Sequence, residues 1–270
     1  MFARIYRSIT RVYEVFRVSA YLFSVWPFTK WLHFWITCSK ETMIELSGIK
    51  LVVRTGNMFS KATDISMIYE CIVRDDYKIK SLGNKEGTII DIGAHLGSFS
   101  LFASKKCPKY KVYSFEPSPS TYSVLKKNIG INGFKNIKAF NKAVTSDGRP
   151  VRIYINPINS ALNTIYDNKG HFADISSVSL QEIFTENSIR SCDFIKMDCE
   201  GAEYDILLNT PQSILKKIKK MVIEYHNPDY FGIQNAKYNL ENVVNWMKIS
   251  GFSCTVKKVK SYQGVIIAYR

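Results

Sequence analysis

Residues 88–97 read Thr-Ile-Ile-Asp-Ile-Gly-Ala-His-Leu-Gly, and the fold is read outward from this stretch. A β-branched run ends in an acid, a glycine turn follows, and Gly97 comes just before a helical pattern opens at Ser98. Strand, tight turn and helix N-terminus in that order form the crevice where α/β sheets hold nucleotide-like ligands. The spacing Asp91-x-Gly93-x-x-x-Gly97 has one glycine fewer than the dinucleotide fingerprint. Its turn is therefore a poorer cradle of N–H groups for a pyrophosphate. The strand tip carries a carboxylate instead, a partner for a ligand ammonium.

A second strand is expected at 111–115, ending at Glu116-Pro117. An acid at that tip, about twenty residues beyond the glycine turn, is the ribose-hydroxyl acceptor of nucleoside-binding α/β folds. A carboxylate accepts from both ribose hydroxyls at once. The plainer alternative is that Glu116 only caps the next helix. With Asp91, Gly93 and Gly97 upstream, the ligand role is the stronger reading. An acid for an ammonium, an acid for a ribose and no phosphate cradle suit S-adenosylmethionine better than NAD.

The chain has 270 residues, 46% of them hydrophobic, enough for one core with an N-terminal extension. Its six cysteines form no Cys-x-x-Cys pair, which argues against a zinc site or a disulfide scaffold and for a reducing compartment. The net charge is +14, and residues 1–40 hold six Lys/Arg against Glu14 alone. A basic surface suits nucleic acid, anionic lipid or an anionic substrate, and charge alone does not choose among them.

Residues 2–26 carry Phe2, Ile5, Tyr6, Ile9, Val12, Tyr13 and Phe16 at helical spacing with arginines between, until Pro27 breaks the pattern. Its uncharged stretch, Val18 to Thr29, is short of the ~18 residues a membrane span needs. Peripheral contact of residues 2–35 with a membrane interface and packing against the domain are equally good readings. The expected location is cytoplasmic, with the inner membrane face as the surface for such contact. A hairpin is expected over 43–55 around Ser47-Gly48, and a helix over 64–77.

From residue 88 strands and helices alternate, which implies a parallel sheet. Strands are expected at 88–92, 111–115, 137–141, 193–198 and 221–226, with helices at 98–106, 119–130, 201–209 and 239–249. Residues 150–180 are the least regular, with one strand at 151–155. A closing hairpin (252–256 with 265–269) adds an antiparallel last strand, the arrangement of class I methyltransferases. The fold expected is α/β with a mostly parallel sheet: extension 1–40, hairpin and helix 41–87, catalytic domain 88–270.

A third informative stretch is Cys192-Asp-Phe-Ile-Lys-Met-Asp-Cys-Glu-Gly-Ala-Glu203. It delivers Asp198 to a strand tip bordering the crevice. Asp198, Glu200 and Glu203 would serve as a base or a metal site, but Glu200 and Glu203 also suit a helix start. No further ligands are evident in sequence, so no metal is expected.

Together Asp91-Ile-Gly-Ala-His-Leu-Gly, Phe115-Glu-Pro, Leu125-Lys-Lys-Asn-Ile-Gly-Ile-Asn-Gly and Lys196-Met-Asp-Cys-Glu-Gly-Ala-Glu resemble the FkbM family of S-adenosylmethionine-dependent methyltransferases. The resemblance runs over about residues 60–252 and includes Val178-Ser-Leu-Gln-Glu-Ile. It implies methyl transfer to a hydroxyl, commonly on a sugar or natural product, so a small-molecule or glycan acceptor is expected. His95 and Cys199 depart from the family, which often has Asn and Ile or Val there.

Asp91, Gly93, Gly97 and Glu116 are the expected cofactor residues. For the hydroxyl proton the candidates are Asp198 and His226, which should emerge at one sheet edge. A histidine bonded to a loop carbonyl is an equally common outcome. Two rival functions remain. A nucleic-acid methyltransferase is suggested by the charge and by Asn227-Pro-Asp-Tyr, which resembles the Asn-Pro-Pro-Tyr loop of base-methylating enzymes. That loop belongs after the fourth strand, and nucleic acid is not the expected partner. A non-catalytic cofactor-binding scaffold is the other.

Overall fold

The computed structural model describes residues 16–36, 39–83, 85–155, 171–260 and 262–270. The expected amphipathic helix lies outside them over residues 2–15, as does the polar stretch 156–170. Residues 16–25 are helical and α1 (Phe28–Ile36) follows after Pro27. Val18, Leu22, Trp26 and Phe34 bury one side of this helical pair, while Phe16, Phe23, Phe28 and Ile36 stay exposed. Among the described residues no helix is long and apolar enough to cross a membrane.

The next elements form the hairpin expected around Ser47-Gly48, β1 (Glu41–Leu46) against β2 (Ile49–Arg54). Then α2 (Met58–Ile68) begins under an Asn57 cap that accepts from the Ser60 amide. It runs into a π-helical turn, Tyr69–Arg74, which ends at left-handed Asp75. The expected helix at 64–77 is thus corrected at both ends. Asn57 starts it earlier. The Asp75 carboxylate takes the Ile79 and Lys80 amides and stops it.

The sheet strands follow in chain order. They are β3 (Gly87–Ile92), β4 (Tyr110–Phe115) and β5 (Ile137–Phe140), then the outlying β6 (Ala143–Thr145), β7 (Val151–Ile155), β8 (His171–Ile175) and β9 (Ser177–Ser179). After them come β10 (Phe194–Met197), β11 (Lys220–His226), β12 (Ser253–Lys260) and β13 (Gln263–Tyr269). The central sheet has seven strands in the order β12-β13-β11-β10-β3-β4-β5. All its pairings are parallel except those of β13, which runs antiparallel to both neighbours. This is the mostly parallel sheet with an inserted antiparallel strand expected from sequence. The least regular stretch is more ordered than expected: β7 pairs with β8, and β6 with β9.

Both faces of the sheet are covered, so its strands are near-continuously apolar. Ile89, Val112, Phe194 and Val222 point to one side, into a core shared with Leu22, Phe34, Leu51 and Ile65. Ile90, Phe115, Ile195 and Ile223 point to the other, under the helices Leu180–Glu186 and Glu203–Asn209. The hairpin is fastened to this frame by the helix Pro119–Asn132. There Asn128 accepts from the Val52 amide at 2.6 Å and donates to the Val52 carbonyl, and Asn132 does the same for Lys50. Two side-chain amides stand in for a neighbouring strand on the β2 edge.

Candidate active site

The glycine turn leaves β3 and packs against the exit of β10. Gly93 has φ +76°, and a Cβ there would collide with the Asp198 carbonyl. Gly97 has φ +95° and precedes the helix Ser98–Lys106. The turn's amides are already used. Gly93 and Ala94 donate to the Phe115 carbonyl at 3.1 and 2.9 Å, and Gly97 to the Ala94 carbonyl at 2.9 Å. The His95 amide donates to Glu116 Oε2 at 2.8 Å. Little backbone is left to cradle a phosphate, the physical form of the missing glycine.

Glu116 stands at the tip of β4 as expected. Its second oxygen accepts from the Ser118 amide at 2.9 Å, so one carboxylate joins the glycine turn to the following loop. Burial pushes its pKa up to about 7, against the lowering pull of those two amides.

Asp91 reaches its strand tip but not the crevice surface. Its carboxylate is fully buried; Oδ2 accepts from Ser100 Oγ at 2.6 Å, and Oδ1 lies 3.5 Å from Lys196 Nζ. The chain supplies its own ammonium there, because β3 and β10 pair with Lys196 directly beside Asp91. Lys196 Nζ also donates to the Gly93 carbonyl at 2.6 Å and approaches Asp198 at 3.8 Å. Burial alone would lower the Lys196 pKa, but the Asp91 and Asp198 carboxylates raise it overall. The motif at 196–203 gives Lys196 no visible role, which emerges only from its register opposite Asp91.

A second buried cluster faces the turn from the hairpin side. Arg54 of β2 pairs with fully buried Asp64 and bonds Thr121 Oγ1 and His95 Nε2, the last at 2.6 Å. An arginine only donates, so His95 Nε2 accepts. Burial, then Arg54, holds the His95 pKa well below its usual value, leaving the ring neutral.

At the tips of β10 and β11 the structure brings together the two proton-acceptor candidates. His226 is 3% exposed, and its Nδ1 lies 3.1 Å from Glu203 Oε1 rather than on a loop carbonyl. Glu203 also accepts the Cys199 amide at 3.1 Å and the Gly201 amide at 3.0 Å. It therefore orders its own loop and orients the imidazole. His226 Nε2 lies 3.7 Å from Glu200 and 4.0 Å from Glu224. Burial would lower its pKa, but the carboxylates, Glu200 first and then Glu203, raise it well above the usual value. Asp198 completes the group, with one donor atom each from Asp198, Glu224 and His226 lying within 4.8 Å of one another. Glu224 was overlooked in sequence, although it sits two residues before His226 and so shares its face of the strand.

Asn227-Pro-Asp-Tyr forms a structural turn. Asn227 Oδ1 accepts the Asp229 amide at 3.1 Å and caps the 3₁₀ turn Pro228–Phe231. Beside it, under the other face of β11, is a cavity of about 690 Å³ lined by Tyr204, Tyr225, Asn227, Tyr238, Tyr262 and Gln263 among others.

Residues 91–254, well over half of the chain, match the family described as the methyltransferase FkbM domain. Methyltransferase sdnD of Sordaria araneosa is 27% identical over 198 residues, 61% of this chain and 76% of the relative. The 31-O-demethyl-FK506 methyltransferase FkbM of Streptomyces tacrolimicus is 25% identical over 173 residues, 52% of this chain and 66% of the relative. Among solved structures, a SAM-dependent methyltransferase from Aquifex aeolicus is similar at TM-score 0.40 and 16% identity, covering 74% of this chain and 90% of that one. The chain belongs to the FkbM family of methyltransferases.

Proposed function

We propose that this protein transfers the methyl group of S-adenosylmethionine to a hydroxyl of a small molecule or saccharide. The donor lies over the 93–97 turn with its ribose on Glu116. Gly93 and Gly97 keep the shape of that turn, because a Cβ would meet the Asp198 carbonyl at the first and the Leu125 side chain at the second. Asp91 acts from behind, holding Lys196, which in turn holds the Gly93 carbonyl. The observation carrying the O-directed reading is the Asp198 carboxylate. It sits at the sheet tip beside Gly93, and among the described residues it accepts no hydrogen bond and has Lys196, at 3.8 Å, as its only ion-pair partner.

The acceptor oxygen attacks the sulfonium methyl in line, a C–O bond forms, the C–S bond breaks, and its electron pair stays on sulfur. The hydroxyl proton passes to Asp198. His226, fixed through Nδ1 by Glu203 at 3.1 Å, stands beside Asp198 at the same strand tips. Positioning supplies most of the acceleration, and proton removal adds roughly 10²–10⁴-fold. The relative named for a 31-O-demethyl acceptor supports an oxygen target.

The exposed aromatic face at residues 16–36 supports peripheral contact with the cytoplasmic membrane face, where Trp and Phe partition. The test of the central reading is methyl transfer from labelled donor into a panel of saccharides, macrolides and amines, analysed by mass spectrometry. Methyl ethers formed by the wild type and lost in Asp198→Asn are expected. Methylated amines, or ether formation unchanged in that variant, would contradict it.

A further inference from the structure

The cluster at the tips of β10 and β11 has the composition of a cation site. It combines two carboxylates and an imidazole whose second nitrogen is already held by a third carboxylate. Glu203 holds Nδ1 of His226 at 3.1 Å, which leaves Nε2 as the ring nitrogen open to a cation that displaces its proton. Metal-ligating histidines are oriented by this kind of carboxylate contact. Among the described residues Nε2 makes no hydrogen bond; it points toward Glu200 and Glu224 at 3.7 and 4.0 Å, although the residue is 3% exposed.

We propose that Asp198, Glu224 and His226 bind one divalent cation, with Glu203 as the positioning residue for the imidazole. The donor atoms of the three lie within 4.8 Å of one another. Around an ion with bonds of ~2.1 Å, neighbouring donors stand about 3 Å apart and opposite ones about 4.2 Å. Small rotations of the two carboxylate side chains close that difference, and the backbone stays as it is. The three residues come from the ends of two adjacent parallel strands, which are rigid supports for such a constellation. No Lys or Arg among the described residues forms an ion pair with Glu224; its partners are His226 and the side-chain amide of Gln263.

One nitrogen with two carboxylate oxygens suits manganese or magnesium better than a soft, thiolate-seeking metal. Binding of the cation stands independently of the O-methyl reading, whereas its role rests on that reading. Placed beside Asp198, the cation takes the acceptor oxygen as a further ligand and makes its hydroxyl more acidic. The Asp198 oxygen that is not bound to the metal still receives the proton.

The test is titration of the metal-stripped protein with manganese chloride, followed by calorimetry and by loss of the free-ion electron paramagnetic resonance signal. Neither donor nor acceptor is present. One ion per chain is expected, together with a rise in thermal midpoint as manganese is added. Glu224→Gln and Asp198→Asn should each weaken binding at least tenfold, and Glu203→Gln by roughly 10–100-fold through the misplaced imidazole. Donor affinity, measured in parallel, checks that each variant is folded. No stoichiometric binding by the wild type, or equal binding by wild type and Glu224→Gln, would overturn the proposal. Methyl ethers formed by metal-stripped, chelator-treated enzyme at the full rate would overturn the role at the acceptor while leaving O-methyl transfer intact.

Discussion

Oε1 of Glu203 lies 3.1 Å from His226 Nδ1 and also accepts the Cys199 amide at 3.1 Å, so one buried carboxylate ties the loop after β10 to the imidazole at the end of β11. Glu203→Gln keeps the volume but weakens the hold on both. Turnover should fall roughly 10²-fold, the worth of a positioned proton-transfer site, with donor affinity near that of the wild type. Steady-state kinetics with calorimetric donor titration checks this. A loss of donor binding equal to the loss of turnover would show a collapsed loop instead.

Gly93→Ala should weaken donor binding. The left-handed conformation costs a side chain ~1–3 kcal/mol, and the added methyl meets the Asp198 carbonyl. Calorimetry with S-adenosylhomocysteine is expected to show at least a tenfold weaker Kd, and circular dichroism to show a folded domain.

Donor affinity should depend on pH through Glu116. Its pKa stands at about 7 in the folded chain, above its ordinary value of 4.5, because burial outweighs the lowering pull of the Ser118 and His95 amides. The ionised form accepts both ribose hydroxyls, so affinity should rise with pH through 7 and fall roughly tenfold per pH unit below it. The sign for stability is opposite. The folded state binds the proton more readily than the unfolded one, so Glu116 contributes stability below about pH 4.5 that is lost as pH rises through about 7. Glu116→Gln should flatten both dependences, as followed by Kd and thermal midpoint against pH.

Arg54→Ala should destabilise the fold by ~3–5 kcal/mol, because it leaves the Asp64 carboxylate buried without its counter-ion. Burial already raises the Asp64 pKa against the pull of Arg54. Denaturant unfolding measures the loss. The double variant Arg54→Ala with Asp64→Asn should recover part of it.

If the aromatic face contacts a membrane, Phe23→Ser with Phe28→Ser should reduce co-sedimentation with anionic vesicles several-fold and leave the thermal midpoint unchanged, since both rings are exposed. Binding unchanged by the pair would remove that contact from the account.

The parallel sheet was legible because its strands and turns are local: Thr88–Gly97, Phe115–Pro117 and Lys196–Glu203 each announce strand, turn and helix within a dozen residues. The relationships across strands were not legible. Asp91 read as a ligand contact because sequence shows its place at a tip but not Lys196 beside it, which only the β3–β10 register supplies. Glu224 and the Arg54–Asp64–His95 group went unread for the same reason: their partners come from distant segments. The helix at 58–68 was placed late because Asn57, its cap, lies among polar residues that also suit a loop.

The most direct measurement is calorimetric titration of the wild type and Glu116→Ala with S-adenosylhomocysteine and, separately, with NAD. One site for the sulfur nucleoside, lost in the variant, with no heat from NAD, is the predicted result. Binding of NAD alone, or sulfur-nucleoside binding indifferent to Glu116, would contradict it.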